Sequence, residues 1–197
     1  MTPIMQPRAR ITQVDEGSRA DAVGICPGDV LVSVNGHPIR DIIDYEYHVS
    51  SFTTRLEIEK PDGSMLTAVF NNDYDPRLGL GFDELVFDGE KHCANKCVFC
   101  FVDQLPRGMR DTLYFKDDDY RLSFLQGNFI TLTNLRESDL QRIMDLRLSP
   151  LYISVHSTDD VTRCRLLGRT HAFPIMPTLK RLAEARIDFH CQIVMVP

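Results

Sequence analysis

The N-terminal part of the chain alternates between short apolar runs and polar turns, which predicts strands. In "GDVLVSVNGHPI", Val30, Val32 and Val34 alternate with Leu31 and Ser33, as they do in a strand. The Asn-Gly pair that follows is typical of a two-residue hairpin turn. A second hairpin is predicted in "RLEIEKPDGSMLTAVF", with its turn at Pro-Asp-Gly.

Two short helices are expected among these strands. Ser18 can cap a helix over "RADAV", and Gly24 would end that helix in a left-handed conformation. The stretch "RDIIDYEYHVSSF" fits a second helix. These elements predict a small α+β module over residues 8–70, followed by a polar linker over residues 71–83.

Beyond the linker, apolar runs alternate with helical patterns over residues 84–197. The apolar runs "LVFDG", "FITLTNL", "LYISVHS" and "DFHCQIVMVP" are interpreted as strands, and "ESDLQRIMDLRL", "DDVTRCRLLG" and "PTLKRLAEARI" as helices. The first helix has four apolar residues on one face: Leu140, Ile143, Met144 and Leu148. Such alternation indicates a parallel sheet with right-handed crossovers, open or curled into a barrel. Because the chain ends on an apolar strand, we infer that it is the first part of a longer barrel.

Composition narrows the functional classes. The chain has 197 residues, 43% hydrophobic and 25% charged, enough for one core or two small ones. Its net charge of -6 does not indicate the positively charged surface that a phosphate backbone attracts, so nucleic-acid binding is not expected. No stretch has the roughly 20 apolar residues of a membrane helix, and the N-terminus has no signal-peptide core. We therefore expect a cytoplasmic protein with no membrane contact.

Three of the six cysteines lie close together in "KHCANKCVFCF". Cys93, Cys97 and Cys100 have the spacing C-x3-C-x2-C, and the flanking basic residues are expected to favour the thiolate form that metals require. Without a secretory signal, clustered cysteines more often hold a metal than form disulfides. The other three stand alone in apolar settings and are interpreted as buried thiols: Cys26, Cys164 and Cys191.

A structural metal site needs a fourth ligand, and two interpretations supply one. In the zinc interpretation, a remote His156, Cys164 or His171 completes a tetrahedron, although the sequence has no second Cys-x2-Cys pair. In the iron–sulfur interpretation, three thiolates hold three irons of a [4Fe–4S] cluster, and the fourth iron stays open to an outside ligand. Three unligated thiols are not expected, because reduced thiols gain nothing from such close packing.

The motif C-x3-C-x-aromatic-C, here "CANKCVFC" with Phe99 as the aromatic residue, is similar to the signature of radical S-adenosylmethionine (SAM) enzymes. In that superfamily the loop follows the first strand of a partial (β/α) barrel, and "LVFDG" is in that place. The resemblance implies that Cys93, Cys97 and Cys100 bind the cluster and that Phe99 lies against the adenine of S-adenosyl-L-methionine. It also implies that the reduced cluster cleaves this cofactor to a 5′-deoxyadenosyl radical. A reductant such as ferredoxin or flavodoxin would supply the electron.

A second resemblance concerns the N-terminal module. "EGSRADAVGICPGDVLVSVNG" resembles PDZ domains, which implies capture of a peptide or protein terminus by strand addition. Packing against its own neighbouring domain is an equal alternative. "GLGF", from Gly79 to Phe82, spells the carboxylate-binding loop of many PDZ domains but follows the last hairpin. We interpret it as coincidence or, at most, as a permuted edge strand.

Taken together, the PDZ-like module, "FDGEKHCANKCVFCFVDQLPRGMR" and "LSPLYISVHSTD" look like the PDZ-containing radical SAM family of unknown function. Members of that family are labelled iron–sulfur oxidoreductases, and they continue through further barrel units. One feature departs from radical SAM enzymes in general. Many of them end the second strand with Gly-Gly-Glu, which holds the amino group of the cofactor, whereas this chain has "TLTNLRE".

Several polar residues near the predicted strand ends are further candidates. Thr133 and Asn134 could make the missing cofactor contacts, but Asn134 with Glu137 is interpreted first as a capping box for the next helix. His156 follows the third predicted strand, where barrel chemistry is expected, and is a catalytic candidate. Ser157 is predicted to cap the helix after it. The three carboxylates of "KDDDYR" are interpreted as a solvated loop.

The fold class is therefore predicted to be α/β: a PDZ-like module followed by the first part of a radical SAM partial (β/α) barrel. We interpret the protein as an oxidoreductase or radical-initiated modifying enzyme of unknown substrate. The alternative is a PDZ peptide-binding adaptor with a structural zinc or iron–sulfur site. A third hypothesis is that this chain alone binds a cluster poorly and catalyses nothing.

Overall fold

The computed structural model describes residues 8–72, 75–171 and 174–196. The chain divides into two compact units, Met1–Gly89 and Glu90–Pro197, called the first and second units below. Residues 73 and 74 of the predicted linker, and the last residue of the final predicted strand, lie outside the described residues. No helix within the described ranges is long and apolar enough to cross a bilayer.

The first unit is built mainly from antiparallel strands. The elements in chain order are β1 (Ala9–Arg10), β2 (Gln13–Val14), α1 (Arg19–Ala22), β3 (Val30–Val34), β4 (His37–Pro38), α2 (Ile42–Val49), β5 (Thr53–Glu59), β6 (Met65–Asn71) and β7 (Leu80–Gly81). The main sheet has the order β1-β3-β5-β6 with β4 paired to β3, and β2 pairs separately with β7. This mixture of strands and helices confirms the predicted small α+β module.

Both predicted hairpins are confirmed. Asn35 and Gly36 have φ angles of 53° and 79°, the two positive values that a type I′ turn requires. At the second turn the Gly63 amide donates to the Lys60 carbonyl at 2.9 Å, and β5 and β6 pair along their whole lengths. Turn chemistry that depends on adjacent residues was thus readable from the sequence.

The buried face of β3 differs from simple alternation. The pairing of β3 with β5 shifts register between Leu31 and Ser33, as at a β-bulge. Because of this shift, Leu31 and Val34 are both fully buried, whereas Val32 is 38% exposed. The pattern predicted the strand correctly but did not show which valines enter the core.

The helix caps of the first unit follow local sequence. The Ser18 Oγ accepts the Asp21 amide at 3.2 Å, and Gly24 has a φ angle of 79°, so the predicted cap and left-handed end of α1 are confirmed. At α2, the Asp41 carboxylate accepts the Asp44 amide at 2.9 Å.

The predicted first barrel strand, "LVFDG", does not form. Its residues belong to the first unit, where Phe87 is part of the buried core and its ring lies 5.2 Å from that of Phe82. Val86 makes only a single antiparallel bridge, with Asp41. The prediction is wrong because the apolar side chains of this segment fill the first core.

The second unit alternates helices and strands. The elements are a 3-10 helix (Asp111–Tyr114), α3 (Tyr120–Gln126), α4 (Glu137–Asp145), β8 (Leu151–Ser154), α5 (Asp160–Leu166), α6 (Ile175–Glu184) and β9 (Phe189–Gln192). Strands β8 and β9 are parallel, with Leu151 opposite Phe189, and two helices lie between them in sequence. The three predicted helices and the last two predicted strands are confirmed, and the α/β fold class holds.

The predicted strand "FITLTNL" is reduced to one residue of pairing. Ile130 donates its amide to the Tyr152 carbonyl at 3.0 Å and accepts the Ser154 amide at 2.8 Å, forming a parallel bridge beside β8. Leu132 then has a φ angle of 60°, which ends the extended conformation. Ile130, β8 and β9 therefore form a short parallel arrangement.

The capping box predicted from Asn134 and Glu137 is wrong. Helix α4 begins two residues later, after Arg136, whose amide donates to the Asp139 carboxylate at 3.0 Å. The Asn134 side chain instead donates to the Asp118 carbonyl at 3.0 Å. The Asn134 side chain therefore makes a tertiary hydrogen bond instead of the helix cap that the local sequence predicts.

The cap predicted for α5 at Ser157 is also wrong. The Asp159 carboxylate accepts the Thr162 amide at 2.8 Å and is the N-cap. The Ser157 Oγ accepts the Asp159 amide at 3.1 Å, so it supports the turn before the helix.

The interpretation of the isolated cysteines as buried thiols is wrong as well. Cys26 and Cys191 are exposed and Cys164 is half-buried. Cys26 lies in the turn before β3, and Cys191 lies on the last strand, β9. Their apolar sequence neighbours did not place them in a core.

Candidate functional site

The three clustered cysteines lie on one irregular loop, residues 93–100, near the start of the second unit. All three are half-buried. The Cys93 amide donates to the Lys116 carbonyl at 2.8 Å, and the Cys100 amide donates to the Cys97 carbonyl at 3.0 Å. Part of the loop borders a cavity of about 470 Å³ whose lining includes Cys93, Asn95, Cys97, Asp103 and Lys116.

The thiols of this loop are close enough to influence one another. Burial raises the pKa of Cys97 to about 11, and the charges of Cys93 and Cys100 add to the rise. Burial also raises the pKa of Cys93. Because both pKa values are raised, the expectation that flanking basic residues favour thiolates is wrong. One of those residues, Lys91, is paired with a carboxylate of α4 at 2.7 Å. Lys116 is a cation that does lower both values.

Lys116 comes from a distant part of the chain. Its Nζ donates to the Asn95 carbonyl at 3.0 Å and to the Asp103 carboxylate at 2.8 Å. Burial works to lower the pKa of Lys116, but the bond to Asp103 and the charges of Cys93 and Cys100 outweigh it and raise the pKa. Lys116 therefore stays protonated and places a positive charge beside Cys93 and Cys97.

Asn95, between the first two cysteines, is 2% exposed and fixes the middle of the loop. Its Nδ2 lies 3.4 Å from the Cys93 Sγ, 2.9 Å from the Thr131 Oγ1 and 3.0 Å from the Thr133 Oγ1. Its Oδ1 accepts from Arg169 at 2.9 Å. Asn95 is not among the residues that the sequence predicts for the site; a polar residue between two cysteines was the available signal.

The interpretation of "KDDDYR" as a solvated loop is wrong for two of its carboxylates. Asp118 and Asp119 are 2% and 0% exposed. Asp118 accepts both the amide and the hydroxyl of Thr131, and burial raises its pKa. Asp119 caps α3 and pairs with Arg121 at 2.6 Å. These carboxylates hold the polypeptide beside the cysteine loop.

The C-terminal end of α5 clamps the other side of the loop. Lys96 donates its amide to the Leu167 carbonyl and Val98 to the Leu166 carbonyl, each at 3.0 Å. Gly168 follows with a φ angle of +61°, and a Cβ there would lie 2.2 Å from the Lys96 carbonyl oxygen. Only glycine allows this close approach to the Lys96 carbonyl. The sequence indicated that a helix ends near Gly168, but not this contact.

The structure brings the candidates Phe99 and His156 together. Their ring centroids are 4.6 Å apart, and His156 has a left-handed φ angle of 61° at the end of β8. The Val194 amide donates to the His156 Nδ1 at 3.3 Å. Burial, with help from the positive charge of Arg163, lowers the pKa of His156 to about 4. The imidazole is therefore neutral near pH 7, and its remaining proton is on Nε2.

The remote candidates for a fourth metal ligand do not complete a metal site with the loop cysteines. His156 lies against the Phe99 ring, and His171 lines a cavity of about 310 Å³ that also includes Ala94 and Lys96 of the loop. The Cys164 Sγ lies 3.0 Å from the Arg169 carbonyl. Within residues 8–72, 75–171 and 174–196, no group of three or more His, Cys, Asp or Glu side chains is placed to hold a metal ion. The predicted tetrahedral zinc site is not assembled in that part of the chain.

Comparison with known families adds to this geometry. A family model described as a Radical SAM-like domain matches residues 72–197, well over half of the chain. This chain belongs to the radical SAM-like family. A PDZ domain model matches residues 10–60, so the predicted PDZ and radical SAM architecture is confirmed. No curated protein matches the sequence.

For a member of the radical SAM-like family, the group to test against the loop is a [4Fe–4S] cluster. Iron–sulfur clusters are held by cysteine thiolates, and hydrogen bonds to the sulfurs tune them. The loop offers three thiols, with an amide donor at Asn95 and a cation at Lys116 beside them. The chemistry of these donors suits the cluster, while within the described residues the three thiols are not gathered into a metal-binding group.

The "GLGF" segment of this radical SAM-like chain is part of the first unit's fold. β7 pairs antiparallel with β2, with Leu80 opposite Val14, so part of this segment does form a short strand. The PDZ match ends at residue 60, and the likeness of the segment to a carboxylate-binding loop stays a prediction. A groove of about 210 Å³ lies beside β7, with a lining that includes Tyr45, Glu46 and Val49 of α2 and Leu78, Gly79 and Leu80. The PDZ match supports a peptide-binding role for this unit.

Proposed function

We propose that this protein acts as a radical SAM enzyme, an oxidoreductase or radical-initiated modifying enzyme of unknown substrate, with a [4Fe–4S] cluster on loop 93–100. The observation that carries the proposal is the three-cysteine loop in a member of the radical SAM-like family. Cys93, Cys97 and Cys100 would be the cluster ligands. When bound, the cluster would supply the electron that cleaves S-adenosyl-L-methionine.

The residues around the loop would bind and orient the cofactor. Phe99 would lie against the adenine, and the neighbouring His156 ring holds Phe99 from one side at 4.6 Å. His156, neutral near pH 7, offers an N–H for hydrogen bonding, which supports a binding role over a general-acid role. Thr133 would contribute through the loop, since its hydroxyl bonds to the Asn95 side chain.

The carboxylate that many radical SAM enzymes supply from Gly-Gly-Glu has a candidate substitute in Asp103. Asp103 lines the same cavity as Cys93 and Cys97, and its partner Lys116 lies 2.8 Å away. We infer that Asp103 takes the amino group of the cofactor, while Lys116 takes its carboxylate. The Asn134 side chain donates to a backbone carbonyl, so its contribution would be to support this wall.

Anaerobic loading with iron and sulfide tests the proposal. The protein should turn brown and bind about four irons per chain, and S-adenosylmethionine with dithionite should then release 5′-deoxyadenosine. Cys97→Ala should lose both properties. Cys164→Ala is the matched control because Cys164 is also half-buried but outside the loop, so it should keep both. Equal iron in both variants would overturn the ligand assignment.

The same experiment decides the alternative of an adaptor with a structural metal. Colourless protein that binds one zinc per chain would favour a structural zinc site. A loaded cluster that does not respond to S-adenosylmethionine would favour a structural iron–sulfur site.

We also propose that the first unit binds an extended peptide or protein terminus. The groove between α2 and β7 supports this, because a strand added beside β7 would lie against Tyr45 and Val49. Glu46 lines the groove and is exposed, so Glu46→Trp should fill it and weaken binding in a peptide-library screen. Glu59→Trp, at an exposed position on β5, is the control. A screen without any binding peptide would favour packing against a neighbouring domain instead.

A further inference from the structure

We propose that Asn95 is a positioning residue that raises the reduction potential of the cluster by donating an N–H to the sulfur of Cys93. The inference rests on the proposed function, because it requires a cluster on loop 93–100. Asn95 lies inside the cysteine motif, but the cysteine spacing alone assigns it no role.

The orientation of the Asn95 amide follows from its partners. Amide oxygen and nitrogen are assigned from the hydrogen-bond network, and arginine can only donate. Arg169 lies 2.9 Å from one amide atom of Asn95, so that atom must be the oxygen. The nitrogen therefore faces the opposite side, towards Cys93, Thr131 and Thr133.

Thr131 accounts for one of the two hydrogens on Nδ2. Its Oγ1 gives its own proton to the Asp118 carboxylate at 2.6 Å, so it accepts from Asn95 at 2.9 Å. The second hydrogen lies between the Thr133 Oγ1 at 3.0 Å and the Cys93 Sγ at 3.4 Å. Thr133 can also donate to the Asn95 Oδ1, at 3.2 Å. A sulfur carrying negative charge would draw this shared hydrogen more strongly than the neutral hydroxyl does.

The donor is held in place from several directions. Asn95 is 2% exposed and Asp118, at the far end of the network, is also 2% exposed. The Lys96 amide is fixed to the Leu167 carbonyl, and Gly168 packs directly on the Lys96 carbonyl. In such a water-poor environment an N–H donor has a larger electrostatic effect than it has in water.

The direction of the effect follows from charge. Reduction adds negative charge to a cluster and its thiolate ligands, and hydrogen bonds to the sulfurs are among the determinants of its potential. An N–H that points at the Cys93 sulfur stabilises the reduced state more than the oxidised state. Asn95 would therefore make the cluster easier to reduce, and loss of the donor should shift the potential to a more negative value.

The test is an EPR-monitored redox titration of the loaded protein without S-adenosylmethionine, so the readout is independent of activity. Asn95→Leu keeps the side-chain size and removes the donor. At a fixed potential its ratio of reduced to oxidised cluster should fall about tenfold, which is about 59 mV for a one-electron couple. A variant that loads fully and titrates at the unmodified potential would overturn the inference.

A second variant covers the case in which Asn95→Leu fails to load. Arg169→Leu keeps Asn95 but removes one of the groups that fix its orientation, together with a positive charge, so it should shift the potential in the same direction. An unchanged potential in a loaded Arg169→Leu protein would then count against the inference. If the unmodified protein forms no cluster, the proposed function itself has failed.

The matched control is Asn72, the buried amide of the first unit. Its Nδ2 also donates to three acceptors, the carbonyls of Val49 and Ser51 and the Oγ1 of Thr54, at 2.7 to 2.9 Å. Asn72→Leu should destabilise the first unit and leave the potential unchanged. A shift equal to that of Asn95→Leu would mean that general destabilisation, not the Cys93 contact, sets the potential.

Discussion

Gly168→Ala should destabilise the second unit through one backbone contact. The added methyl would lie 2.2 Å from the Lys96 carbonyl oxygen and 2.9 Å from its carbon, at a φ angle of +61°. A left-handed conformation costs an L-residue roughly 1–2 kcal/mol, and forced overpacking typically costs about 1–3 kcal/mol. The carbonyl cannot retreat freely, because the Lys96 amide is bonded to the Leu167 carbonyl at 3.0 Å. We therefore expect a total loss of roughly 2–5 kcal/mol.

Calorimetric melting of the metal-free protein measures this loss. For a unit of this size, 1 kcal/mol shifts Tm by about 4 °C, so Gly168→Ala should lower the second-unit Tm by about 8–20 °C. Gly108→Ala is the control: its φ angle is +84°, but nothing lies within 4 Å of the added Cβ. It should lose only about 4–8 °C, from the backbone conformation alone. Equal losses in the two variants would refute the proposed clamp between α5 and the cysteine loop.

Three further substitutions test other parts of the structure. The pKa of His156 falls from 6.5 to about 4 on folding, so the free energy of unfolding should decrease as the pH drops between these values. In urea denaturation at a series of pH values, His156→Gln should make this part of the profile flatter. An unchanged profile would contradict the burial of His156. Asp118→Asn turns an amide towards the donors of Thr131 and should cost about 1–3 kcal/mol in urea denaturation, whereas no loss would argue against that network. Phe87→Ala should cost about 3–5 kcal/mol and speed amide exchange within residues 1–89; an effect confined to residues 90–197 would contradict its place in the first core.

Elements governed by neighbouring residues could be predicted from the sequence. The Asn35-Gly36 turn and the Ser18 cap each depend on residues only a few positions away. The "LVFDG" segment shows the limit of such prediction, because an apolar run predicts that its residues are buried but not in which core. Its place in the first unit depends on Phe82 and Asp41, which the pattern cannot connect to it.

The cysteine spacing identified the loop, but not the residues that shape it. Asp118 is buried because Thr131, thirteen positions away, supplies two donors, so its charged sequence context was misleading. Asn95 depends on Arg169, and Gly168 depends on the Lys96 carbonyl, each more than seventy positions away. Such long-range contacts leave no local pattern, and a single polar or glycine residue is common in any loop.

Cys93, Cys97 and Cys100 are proposed to hold a [4Fe–4S] cluster with one iron open to S-adenosyl-L-methionine. EPR spectra of the reconstituted, reduced protein, recorded with and without this cofactor, would show whether they do. We expect about four irons per chain and a spectrum that changes when the cofactor is added. A fully loaded protein whose spectrum is the same with and without the cofactor would contradict this proposal.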